Sequence, residues 1–154
     1  MKNVYTLTYS LLILLLMSCE KQYGKYIEAV TDITVLNQQG QNLLADPATY
    51  SKKDINIYYV INGQSVLYDK SFLSTDRGIE DKGFHITNEG SPMIRIYLNF
   101  DINRKDTHPV TLIKFGTSKI DTINTEFEYI GRSVFLRKIW FNGVEKKQEF
   151  TIIK

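Results

Sequence analysis

Chemistry in a polypeptide needs nucleophiles, acid–base groups or metal ligands that converge, and this sequence supplies few of them. It has two histidines, His85 and His108, and one cysteine, Cys19. A metal site wants several His, Cys or carboxylate ligands at close spacing. Neither histidine has another histidine near it in sequence. His85 falls in a β-rich run and His108 stands before Pro109, positions that suit edge or surface histidines. No Gly-x-Ser-x-Gly elbow and no Gly-rich phosphate loop occur. Glu126 and Glu128 lie two apart, so on a strand they share one side. Such a pair can hydrolyse glycosides when its surroundings separate the two pKa values; a solvated strand face asks nothing of it. The residue types imply no metal, no cofactor and no catalytic set. A hydrolase would have to assemble its site from distant carboxylates or from His85.

Aromatic side chains offer a different chemistry. They make up 12% of the chain, with 10 Tyr and 8 Phe. Tyr58, Tyr68, Tyr97 and Tyr129 are expected on strand faces opposite the core. There they could serve as a platform for a sugar or peptide, presenting apolar area with a polar tip. Charge points away from nucleic acid. The 19 basic and 17 acidic residues nearly balance, and the densest basic clusters, Lys52-Lys53 and Lys146-Lys147, read as solvated surface.

The one cysteine stands in a distinctive setting. Lys2 is the only charged residue before Glu20, and Leu11 to Met17 is an unbroken apolar run. A basic start, a short apolar core and a small residue before the cut describe a secretory signal peptide. The run is far short of the ~20 apolar residues that span a bilayer as a helix. Leu16-Met17-Ser18-Cys19 resembles the lipobox of bacterial lipoproteins, which has Leu three positions before the cut, a small residue just before it and Cys after it. Met17 is bulkier than the usual middle residue. The resemblance implies removal of residues 1–18, a thioether-linked diacylglycerol on Cys19 and a further acyl chain, such as palmitate, on the new amino group. A single acyl chain gives marginal anchoring, whereas several hold firmly. The cysteine count agrees, since oxidising compartments favour even numbers of cysteines. Residues 19–25 then form a lipidated tether, and residues 26–154 suit a single domain. The leader takes one basic residue and no acidic one, which leaves a mature charge of +1.

The mature chain reads as strand, turn, strand. Ile27 to Leu36 is β-rich, and Asn42 to Tyr50 is a loop that packs Leu43 and Leu44. Ile55, Ile57, Tyr59 and Ile61 alternate. Asn62-Gly63 and Asn142-Gly143 are type I′ hairpin signals, because both residues tolerate positive φ. Residues 69 to 82 form the longest loop, around Asp76-Arg77-Gly78. Further strands are expected over Gly83–Thr87, Met93–Phe100, Val110–Phe115, Ile120–Ile130, Val134–Phe141 and Val144–Ile153. Asp101–His108 is a polar turn. Val134–Phe141 is apolar on both faces, which suits a central strand. About eight strands without a helix predict an all-β fold, an antiparallel β-sandwich of immunoglobulin-like or related type.

Several short elements carry a second resemblance. Gln41-Asn42-Leu43-Leu44-Ala45-Asp46-Pro47, Ile55-Asn56-Ile57-Tyr58-Tyr59-Val60-Ile61-Asn62-Gly63, Asp121-Thr122-Ile123 and Lys138-Ile139-Trp140-Phe141-Asn142-Gly143 are similar to elements of a group of small Bacteroidota lipoproteins. Ala45 departs from the Asp of that pattern. The resemblance implies an extracytoplasmic β-domain and brings no activity with it. Asp121-Thr122-Ile123 also resembles the acceptor for O-glycosylation of exported Bacteroidota proteins, with Thr122 as the acceptor.

The expected protein is therefore a lipid-anchored envelope module that binds a glycan, a peptide or an envelope protein. An envelope hydrolase and a purely structural envelope protein are the rival readings. Outer-membrane placement is expected, on the periplasmic face or the cell surface.

Overall fold

The computed structural model describes residues 26–45, 47–68, 82–87, 90–101, 103 and 105–154. The leader, Cys19, the tether and residues 69–81, with Asp76-Arg77-Gly78, lie outside the described residues. Within them the chain forms β1 Val30–Leu36, β2 Ile55–Ile61, β3 Gln64–Leu67, β4 Phe84–Ile86 and β5 Ile94–Tyr97. It continues through β6 Val110–Phe115, β7 Asp121–Ile130, β8 Ser133–Phe141, β9 Val144–Lys146 and β10 Glu149–Ile153. A single 3₁₀ turn, Lys52–Asp54, leads into β2.

The strands make two sheets. One runs β10-β1-β5-β4 and the other β3-β2-β6-β7-β8-β9. The pairings are antiparallel except for β1 with β10, which run parallel. Period-two patterning dictates which side of each strand is buried. β1 buries Thr31, Ile33 and Val35; β2 buries Ile55, Ile57 and Tyr59; β6 buries Thr111, Ile113 and Phe115. Their inward side chains merge with Ile94, Ile96, Ile123, Phe127 and Ile139 into one apolar cluster between the sheets. The fold is the expected all-β sandwich. Both Asn-Gly turns take the expected conformation, with φ of 52° at Asn62 and 50° at Asn142, and positive φ at the glycine that follows each.

Two expectations need correction. Val144–Ile153 is not one strand. β9 ends at Lys146 on the six-stranded sheet and β10 begins at Glu149 on the other. Gln148 holds this crossing: its carbonyl accepts from Asp32 N–H at 3.0 Å and from Thr31 Oγ1 at 2.7 Å, and its side-chain amide donates to Val30 O at 3.1 Å. Among the described residues ten strands result instead of about eight. Nor is β8 central, since only β9 separates it from the sheet edge. Its two apolar faces have another cause. Glu126 pairs with Lys138 but Phe127 pairs with Leu136, so Arg137 is an extra residue in a β-bulge. The bulge reverses the strand's phase, and Val134 before it and Ile139 after it both point inward.

The buried side chains of Thr31, Thr111, Asp121 and Thr125 are satisfied by named partners, as burial demands. Thr31 Oγ1 donates to Gln148 O, Thr125 Oγ1 donates to Pro109 O at 2.9 Å, and Thr111 Oγ1 accepts from Asn99 N–H at 2.8 Å. Asp121 accepts from Asn142 Nδ2 at 2.9 Å and pairs with the ammonium of Lys154, whose Nζ also lies 5.4 Å from the Phe115 ring centre. Lys154 follows β10 and Asp121 opens β7, so this ion pair links the two sheets.

Gly83 shows how tightly the sheets close. Its φ is +75°, and a Cβ added there would lie 2.7 Å from Cγ of Tyr68. Gly63 has a similar φ of +78° with open space around it. Gly83→Ala should therefore cost roughly 2–4 kcal/mol, combining left-handed strain with overpacking, and Gly63→Ala about 1 kcal/mol. Urea or thermal unfolding of the two variants checks the order; equal losses would contradict the packing described.

Candidate functional site

Strand direction divides the connections between two ends of the sandwich. At one end the chain enters at Tyr26, and there also lie the Asn62-Gly63 turn, the β5–β6 connection and the Gly131-Arg132 turn. At the other lie Gly40, Gly116, Asn142-Gly143 and Lys154. The entry end contains the cleft of most interest, with a volume of about 720 Å³. Tyr59, Ile61, Asn62, Asn99, Phe100, Asp101, Asn103, Lys105, Asp106 and Pro109 line it.

The cleft's base is built from groups that tie the sheets together. The buried Tyr59 phenol donates to Tyr97 O at 2.9 Å. Burial, reinforced by Tyr68, pushes its ionisation far above the ordinary tyrosine range, so it stays a neutral donor. Asn99, just past β5, reaches across to the other sheet. Its side-chain amide donates to Val60 O at 3.1 Å and Val110 O at 3.3 Å, satisfying carbonyls of β2 and β6.

One wall is a loop folded around a carboxylate. Asp101 accepts from the backbone N–H of Asn103 at 2.8 Å, Lys105 at 2.8 Å and Asp106 at 3.0 Å. Asp106 in turn accepts from His108 N–H at 2.8 Å. The loop is then pinned to β7, where Phe127 N–H donates to Thr107 O at 2.8 Å and Tyr129 Oη donates to Asp106 O at 2.9 Å. With the loop fixed, Asn62, Asn103 and Lys105 stay exposed beside the half-buried ring of Phe100. Amide, carboxylate and ammonium groups around one aromatic edge can hydrogen-bond hydroxyls and cover the apolar face of a ring.

A second depression, of about 540 Å³, lies on the other side of the loop and brings together His108, Glu126, Glu128, Tyr129 and Arg137. Glu126 and Glu128 do share the outer side of β7. Each carboxylate faces a cation: Glu126 Oε2 lies 3.4 Å from Lys138 Nζ, and Glu128 is bound by both Arg137 Nε, at 2.6 Å, and Arg137 Nη2. His108 Nδ1 sits 2.9 Å from Thr107 Oγ1. Among the described residues no cluster of three or more His, Cys, Asp or Glu could hold a metal ion.

The four expected ligand-facing tyrosines are not brought together. Tyr58 lies on the outer face of the six-stranded sheet, between Leu67 and Leu112, and Tyr97 on the outer face of the other sheet. Tyr68 and Tyr129 are corrections. Tyr68 is a core residue, its ring edge-on to Tyr59 with centroids 5.2 Å apart. The two-residue turn sets Tyr58 opposite Leu67, and Tyr68 N–H bonds to Ile57 O, so Tyr68 must share the inward side of Ile57. Tyr129 shares the phase of Ile123 and Phe127 and packs against the core. Both placements follow from alternation counted out from a turn or along a strand. Thr122 is half-buried on the outer face, and its N–H donates to Asn142 Oδ1 at 2.9 Å. His85 is half-buried on β4, opposite Arg95. Cys19 lies outside the described residues.

The cleft residues Asn62, Asn99, Asn103, Lys105 and Asp106 have no counterpart among the expected site residues. Asp101 with Asn103 two places on is an Asx-turn signal, but only the long-range contacts of β5 and β7 turn that polar stretch into a wall. No protein-family model matches the chain, and no curated protein or solved structure is found to be similar to it.

The three backbone donors hold Asp101 below the usual carboxylate range. Its contribution to loop order is therefore complete above the unfolded value of about 3.9 and is lost as pH falls through the lower, folded value. In an NMR titration the amide protons of Asn103, Lys105 and Asp106 should move together with a midpoint below 3.9. Asp101→Ala should abolish this common transition. A midpoint at or above the ordinary value would contradict the carboxylate's role.

Proposed function

We propose that this chain is a lipid-anchored envelope protein whose β-sandwich binds a glycan in the cleft between the Asn62-Gly63 turn and the Asp101–Pro109 loop. The observation that carries the reading is the lining of that cleft. Asn62, Asn103, Lys105 and Asp106 present donors and acceptors around Phe100, a combination suited to a polyhydroxylated ring with one apolar face. Pre-organisation supports it too. Groups fixed before binding cost little ordering when the ligand arrives, and here Tyr59, Asn99 and Asp101 are already committed to hydrogen bonds.

Support for the anchor comes from the leader and the Leu16-Met17-Ser18-Cys19 sequence. Cleavage before Cys19 would retain the diacylglycerol there, hold the domain at a membrane, most simply the outer membrane, and leave Thr122 available to an O-glycosylating enzyme in the same compartment. Partners on this reading are lipid and an envelope oligosaccharide.

Two measurements test the two halves separately. In the native host, Cys19→Ser should abolish incorporation of labelled fatty acid; undiminished labelling refutes the anchor. On an array of bacterial envelope oligosaccharides the wild-type chain should bind a subset. Asn103→Ala and Lys105→Ala should each weaken that binding roughly tenfold, the equivalent of one lost hydrogen bond, with unchanged melting temperatures. Binding that survives both substitutions in folded protein rules out the cleft.

A further inference from the structure

The end of the sandwich where the chain enters carries exposed apolar side chains next to the point of entry. Tyr26 N–H donates to Ser133 Oγ at 3.2 Å, and Val134 N–H donates to Tyr26 O at 2.8 Å. The entering chain is therefore fastened alongside the first residues of β8. Ile130 pairs with Ser133 across the Gly131-Arg132 turn, which sets it beside the same spot. Tyr26 is 55% exposed and Ile130 53% exposed. The Tyr26 ring leans on Phe135, with centroids 5.6 Å apart, and Arg132 is exposed at the turn that joins Ile130 to Ser133.

Resting on the anchor reading, we infer that this tip is a membrane-contact surface: Tyr26 and Ile130 enter the interfacial zone of the bilayer, and Arg132 faces lipid phosphates. Three arguments point to lipid as the occupant. Seven residue steps separate Cys19 from Tyr26, so the domain's entry point can lie no more than about 25 Å from the lipidated residue. Tyrosine, with an apolar ring and a polar tip, favours the headgroup level, and an exposed Ile beside it adds apolar area for shallow insertion. A cation beside them suits an anionic leaflet. The opposite end exposes apolar side chains as well, Ile120, Val144 and Ile153, but it lies the length of the sandwich away from the entry, so apolar exposure alone does not choose between the ends and the short tether does. The same geometry sets the cleft at the membrane-proximal end, so a ligand there would be met close to the lipid surface.

The test uses the full, lipid-modified chain purified from membranes and mixed with phosphatidylethanolamine–phosphatidylglycerol vesicles. Ile130→Trp and Val144→Trp are compared as difference spectra against wild type, with Trp140 left in place. The added emission from position 130 should shift to the blue and be quenched by acyl-brominated lipid, while that from position 144 should do neither. A lipidated, vesicle-bound chain with no quenching at 130, or with equal quenching at both positions, overturns the inference alone. A chain that carries no acyl group overturns the anchor reading, and the inference with it.

Discussion

The two sheets are held together without a disulfide cross-link. The one cysteine stands at position 19, far from the core in sequence, so no intrachain disulfide can limit the unfolded ensemble. What holds the sheets in register is the shared apolar core, closed by polar clasps at both ends. At one end Tyr59 reaches Tyr97, and Asn99 reaches Val60 and Val110. At the other, Lys154 reaches Asp121, which Asn142 also contacts. The Lys154–Asp121 side chains are 14% and 9% exposed. Removing one partner from such a pair leaves a poorly solvated charge, which costs more than the pair itself contributes.

The clasps and the cleft are connected. Tyr59 and Asn99 belong to both, so the groups that fix the spacing of the sheets also form the base of the cleft. The wall depends on Asp101, whose carboxylate substitutes for the regular backbone partners that a loop lacks. Function on this account sits on a loop, as is common, but on a loop whose backbone is fastened at Asp101, Thr107 and Tyr129.

Much of this was legible in the residues because it is local. Asn-Gly at 62–63 and 142–143 specifies its own turn, and the alternation of Ile55, Ile57 and Tyr59 specifies its buried face. The resemblance elements also have structural work: Asn142 bonds to Asp121 and Thr122, joining the last two of them in space, and Leu43 N–H bonds to Val35 O. The rest was not legible because it depends on distant partners. The bulge at Arg137 is visible only once β8 is laid against β7. The crossing at Gln148 is fixed by β1, more than a hundred residues earlier. The cleft needs β2, β5 and β7 to surround a stretch that by composition is a polar turn. Tyr68 and Tyr129 are a different matter, since counting alternation along their own strands assigns both to the inward side.

The account's central claim is that the cleft at the entry end of this sandwich is a pre-formed glycan site. The most direct measurement is backbone amide NMR of the chain titrated with envelope oligosaccharides. It predicts saturable shifts confined to Asn62, Asn99, Asn103, Lys105, Asp106 and their immediate neighbours, with Asp101's amide contacts retained. Shifts centred instead on the Tyr58 face or the Val144 turn, or no response to any oligosaccharide, would contradict it.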